Sequence, residues 1–161
     1  MREFFYVLAI IFHVEGGWTE IDGGTRYGIT AATLRSANQL QIARERDIRR
    51  LTRQEAVAIY YRMFWLESGA HNLPYPLNLV LFDAAVHMGP QRARRVLRSV
   101  ARNSAENGIK DMREIARLFV HERYQRLQAS SRYQDFGAGW RRRLQVIYNH
   151  VNDDREREFH F

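Results

Sequence analysis

The sequence predicts a mainly helical chain with one small β element: a helical lobe, and a β-hairpin lobe bordering a cleft. Three observations carry this. Apolar residues recur at three- and four-residue spacing over most of the chain. Prolines number only three in 161 residues, so long helical segments run uninterrupted. Short Trp, Ile and Tyr segments are interleaved with glycines in a single stretch, residues 17–29, which reads as a turn-rich hairpin or loop.

The elements follow in order. Residues 2–14 form a helix that is mostly buried, and Gly16-Gly17 ends it. Thr30 caps a second helix running through Leu34. Thr52-Arg53-Gln54-Glu55 has the form of a capping box and opens a helix to about Trp65, with Ala56, Ile59, Tyr60 and Met63 on one face. Gly69, Pro74 and Pro76 make residues 67–76 a loop. Leu77 to Met88 is an apolar helix stopped by Gly89-Pro90, the best boundary between lobes. Further helices are expected over 91–103, 111–130 and 139–151, with a turn at Asn107-Gly108. In the second of these the apolar repeat Ile115, Leu118, Phe119 breaks at Glu122 before Tyr124 and Leu127. Residues 1–89 and 90–161 read as two lobes packed as one compact unit.

Charge and composition narrow the function. Net charge is +7, and the excess is C-terminal: +1 over residues 1–80 and +6 over residues 81–161. Such a chain is drawn to polyanions. The absence of cysteine excludes disulfides, thiolate metal sites and a cysteine nucleophile. The histidines show no ligand spacing and no H-E-x-x-H, so neither metal nor cofactor is expected. No zinc-finger or RNA-binding motif accompanies Arg92, Arg94, Arg95, Arg98 and Arg102; these read as a solvated helix face, and nucleic acid is not expected as a partner. The apolar run Phe4–Phe12 is too short to span a bilayer, and no small-residue cleavage site follows it.

The chemistry is concentrated in Glu15-Gly16-Gly17-Trp18-Thr19-Glu20-Ile21-Asp22-Gly23-Gly24-Thr25-Arg26-Tyr27-Gly28-Ile29-Thr30. Glu15 follows the first helix on the face of Leu8, Ile11 and Phe12, where desolvation and the helix C-terminus favour the protonated acid. Asp22 is the natural second carboxylate and Glu20 its competitor; Asp22-Gly23 also fits a plain hairpin turn. One protonated and one ionised carboxyl flanking a cleft is the requirement of sugar-bond hydrolysis. Thr25 and Tyr27 offer hydroxyls for an attacking water or a sugar, against a reading of β propensity alone. Trp18 and Trp65 are aromatic faces for sugar rings, with core burial the stronger reading for Trp65.

At these residues the chain resembles glycoside hydrolase family 108, the phage and prophage endolysins with N-acetylmuramidase activity. The resemblance rests on Glu15-Gly16-Gly17-Trp18, Asp22, Gly23-Gly24, Thr25 and Gly28-Ile29-Thr30. It continues at Leu73-Pro74, at Phe82-Asp83-Ala84-Ala85-Val86-His87-Met88-Gly89 with Arg92-Ala93, and at Gly139-Trp140-Arg141-Arg142-Arg143. It implies a lysozyme-like fold, Glu15 as catalytic acid, peptidoglycan as substrate, and a C-terminal region of predicted peptidoglycan binding. The loop between Glu15 and Thr25 is shorter than is usual in the family. His87, a candidate substrate contact, stands where the family usually has Asn. The resemblance further implies a monomer without stable membrane insertion, made in the bacterial cytoplasm and acting in the periplasm, with host lysis as its role. The alternative is a catalytically inactive peptidoglycan-binding module of a secretion or virion machine.

Overall fold

A computed structural model describes residues 1–14 and 24–153. The first helix, α1, spans Arg2–Val14. A two-stranded antiparallel hairpin follows, β1 Thr25–Arg26 and β2 Ile29–Thr30, with Thr25 opposite Thr30 and Arg26 opposite Ile29. Then come α2 Ala31–Gln39, α3 Arg53–Ile59, α4 Leu77–Met88, α5 Pro90–Glu106, α6 Met112–Gln128 and α7 Tyr133–Asn152.

Local chemistry sets the ends of these elements. Thr30 caps α2 by accepting from the Thr33 N–H, as its place before the helix predicts. Thr52 and Glu55 close the capping box that opens α3. The hairpin turns at Tyr27-Gly28, both at positive φ (53° and 72°), as a type I′ turn demands. The turn expected at Asp22-Gly23 lies outside the described residues.

Two helices depart from their expected form. The helix from Thr52 to Trp65 changes register at Tyr60, and Tyr60–Leu66 is π-helical. The wider turn brings Tyr60 and Trp65 into the core side by side with Phe82. Helix α7 begins at Tyr133, six residues before the expected start. Gly137 lies inside it, and a Cβ there would meet the Tyr133 ring at 2.9 Å, so the glycine seats a ring within the helix. Within the predicted loop 67–76, Ala70–Asn72 forms one 3₁₀ turn after Gly69.

The core gathers around α4, whose residues Leu77 through Ala85 are all buried. A helix apolar on all sides belongs at the centre of a bundle. Helices α1, α5, α6 and α7 and the π-helical segment all pack against it. One hydrophobic cluster runs from Phe4 to Val151, drawing on both sides of Gly89. Trp65, 3 % exposed, belongs to this core. Among the described residues no helix is long and apolar enough to cross a membrane.

Candidate active site

Helix α1 delivers the chain to Glu15. Its inward face, Leu8, Ile11 and Phe12, is buried, and Phe12 meets Tyr60 edge-on at 5.2 Å. The end of α1 is thereby held against the π-helical segment. Glu15, Trp18, Glu20 and Asp22 lie outside the described residues.

The hairpin that follows is tied to the same segment. The Tyr60 hydroxyl donates to the Tyr27 carbonyl at 3.1 Å. Tyr27 holds φ of 53°, a conformation a non-glycine residue adopts at a cost of about 1–3 kcal/mol, and such costs gather at functional loops. The Arg26 guanidinium lies 5.3 Å from the Tyr27 ring centroid. Thr25 stands half-buried on β1. Thus one element, Tyr60, fixes both the end of α1 and the hairpin turn.

His87 belongs to a different environment, at the C-terminal end of α4. Its ring meets Trp140 of α7 edge-on, with centroids 5.9 Å apart, and its Nδ1 is buried without a hydrogen-bond partner. Burial, then the charges of Arg143 and Arg123, push its pKa down to about 4, so the ring is neutral at neutral pH.

One turn earlier on α4, Asp83 is completely buried. It accepts from Arg123 Nη1 of α6 through Oδ2, and from Arg143 Nε (2.9 Å) of α7 through Oδ1, with Arg143 Nη2 at 2.8 Å. Burial pushes this carboxyl up, but the two guanidinium charges outweigh it and hold Asp83 below the usual carboxylate range. Arg123 is itself fully buried and remains charged beside its carboxylate. This cluster was not singled out from the sequence as a unit. Its signals were a lone acid within an apolar helix, and the break at Glu122 in the α6 repeat, beside which Arg123 enters the core.

A helical body carrying a small antiparallel hairpin, with a carboxylate directly after an N-terminal helix that buries one face and leaves Phe5 and Tyr6 exposed rather than being mostly buried, is a lysozyme-like arrangement of the glycoside hydrolase class. The chain belongs to the glycosyl hydrolase 108 family, lysozyme-like peptidoglycan hydrolases: residues 8–89 match it, from within α1 to the glycine that ends α4. The fold is also that of Brucella abortus SagA, at 26 % identity and a TM-score of 0.76 over 95 % of this chain and 98 % of that one. A comparison with curated proteins finds no match. The matched segment contains Glu15, the hairpin and Asp83, whereas Arg123 and Arg143 lie beyond it.

Proposed function

We propose that the chain is a muramidase that hydrolyses the β-1,4 bond between N-acetylmuramic acid and N-acetylglucosamine. Glu15 is the general acid. The observation that carries this reading is the family match across residues 8–89, with Glu15 placed one residue after a helix anchored by Leu8, Ile11 and Phe12. Glu15 protonates the leaving oxygen. Asp22, with Glu20 as the competing candidate, activates water or stabilises the sugar cation. Thr25 and Tyr27 offer hydroxyls from the hairpin, Trp18 a stacking face, and His87 a neutral contact from α4. The protein acts as a monomer on periplasmic peptidoglycan after synthesis in the cytoplasm.

The test is release of reducing ends from purified Gram-negative peptidoglycan, with products identified by mass. Wild type should yield muramic-acid reducing ends. Losing a proton-transfer group costs about 10²–10⁴ in rate, so Glu15→Gln should nearly abolish release. A mutant with wild-type activity would refute the assignment of the acid. A wild type that pellets with the wall and releases nothing would identify a binding module instead.

A further inference from the structure

Helix α5 carries five arginines and a single acid, Glu106, at its last residue. Four of the five, Arg92, Arg95, Arg98 and Arg102, are exposed and follow one another three, three and four residues apart. On an α-helix that spacing keeps all four within about one third of the circumference, over a length of about 15 Å. Ala93, Val96 and Val100 hold the opposite face in the core.

The stripe is unmatched by acids. Its neighbour Arg94 meets Glu67 at 3.8 Å, and on α6 Arg117 and Arg126 meet Glu114 and Glu122 one turn away. Among the described residues, none of the four arginines of the stripe stands in an ion pair. Like charges at these spacings weaken a helix, so the face is kept against a local cost. Its other features narrow what it can meet. Nothing apolar larger than alanine is exposed on α5, so the face can lie on a surface but has nothing to insert into one. The helix has no aromatic residue, so it offers bases no stacking platform.

We propose that this face of α5 adsorbs to an anionic phospholipid bilayer, its guanidiniums meeting the headgroup phosphodiesters. A guanidinium fork matches two phosphate oxygens at once, a geometry that suits arginine better than lysine. A straight row on one side of a helix can bring all four side chains to a flat surface together. Basic residues clustered on a helix face are drawn to the negative potential of such a surface, and the attraction fades within a Debye length. The contact is therefore peripheral, reversible and sensitive to salt. The partner is a lipid surface and not the wall polymer, and the inference stands apart from the muramidase reading.

The measurement is co-sedimentation of the full chain with vesicles of equimolar phosphatidylglycerol and phosphatidylethanolamine, beside vesicles of phosphatidylcholine alone. The parent should partition onto the first and not the second. Its partition should fall steeply from about 0.01 M to about 0.15 M salt, as the Debye length contracts from about 30 Å to about 8 Å. Each arginine near the surface is worth about fivefold, so Arg92→Gln, Arg95→Gln, Arg98→Gln and Arg102→Gln combined should weaken partition by more than about 100-fold. Melting should be unchanged or raised, because these side chains are exposed and repel one another. Arg95→Gln with Arg98→Gln should lose about 25-fold, and decides the matter if the fourfold variant does not fold. A second fourfold variant removes the same charge from exposed arginines scattered over the chain: Arg35→Gln, Arg44→Gln, Arg62→Gln and Arg142→Gln. It should lose far less. An equal loss in both fourfold variants overturns the inference, since net charge alone would then explain the binding. So does a parent that stays in the supernatant with anionic vesicles at low salt. If the α5 variant keeps its vesicle binding and instead loses retention on duplex DNA or on purified sacculi, the face serves that polymer and the inference falls. No outcome depends on cleavage, so failure of the muramidase assignment and failure of the lipid contact are separately visible.

Discussion

Asp83 offers the sharpest test of how this fold holds together. It is wholly buried and faces two guanidiniums, Arg123, also wholly buried, and Arg143, 10 % exposed. At the 2.8 Å contact with Arg143, a pair at an effective dielectric near 20 gains about 6 kcal/mol gross. Desolvation takes back most of this, yet removing one partner leaves the others buried without a counter-charge. Asp83→Asn preserves the volume and removes only the charge, and is expected to cost about 3–5 kcal/mol. In a chain of this size that lowers the melting temperature by about 6–20 °C, readable by calorimetry or circular dichroism. Replacing all three by apolar side chains of similar size should recover most of the loss. The sign with pH is also fixed. A carboxylate held below its usual range adds stability that is present at neutral pH and is lost as pH falls below that range. Asp83→Asn lacks this component. A loss under about 1 kcal/mol in Asp83→Asn, or no recovery in the apolar triple variant, would refute the reasoning.

Two further expectations concern His87 and Glu55. The unfolded chain takes up a proton on His87 near pH 6.5, whereas the folded chain resists until about 4. Stability therefore declines as pH falls through that interval, by about 2 kcal/mol once the partial exposure of the ring is allowed for. In His87→Asn this part of the decline should disappear, so urea midpoints at pH 7 and pH 4.5 should lie closer together than in wild type; an identical decline in both would discount the ring. Glu55 Oε1 accepts from the Arg44 and Glu45 N–H groups, both at 2.9 Å, and Oε2 accepts from the Thr52 N–H at 3.2 Å and its hydroxyl at 2.8 Å. Slight burial pushes its pKa up, but these donors outweigh it and hold the carboxylate at about 2. Glu55→Ala should cost about 1–2 kcal/mol and speed amide exchange at Arg44 and Glu45, whose protection in the variant would contradict the assigned role.

The helices were legible in the sequence because their signals are local. Thr30 and Thr52 cap where their spacing to the following helix demands, and the unbroken apolar run from Leu77 reads as a core helix. What escaped depends on partners far along the chain. Nothing near Gly137 reveals that a ring four residues earlier fills the space of its missing side chain, so α7 looked shorter than it is. The π register at Tyr60 arises from packing of Tyr60 and Trp65 against Phe82, more than fifteen residues away. Likewise Asp83 reveals its role only when Arg123 and Arg143, 40 and 60 residues on, fold back upon it. For the site, the residues around Glu15 single it out as the proposed acid, and it lies outside the described residues. Tyr27 drew notice through its hydroxyl, while the structure also shows its backbone bent into a tight turn and held by Tyr60. Of the arginines read as a solvated face, Arg92, Arg95, Arg98 and Arg102 are exposed, with Ala93, Val96 and Val100 on the opposite, buried face of α5, whereas Arg94 is half-buried beside Glu67 and Gln91.

The distance in sequence between Asp83 and Arg143 also orders events in time. Contacts spanning some 60 residues must wait for the intervening chain, and loop closure of that length slows folding relative to a bundle of neighbouring helices. On the ribosome, α4 emerges with its acid unmatched while α7 is still to be made. Tyr75 likewise awaits the carbonyl of His150. The segment that carries the proposed chemistry thus reaches its finished core only once α7 has been made, and a nascent chain stalled before Arg143 holds a carboxylate that it cannot yet bury with both of its partners.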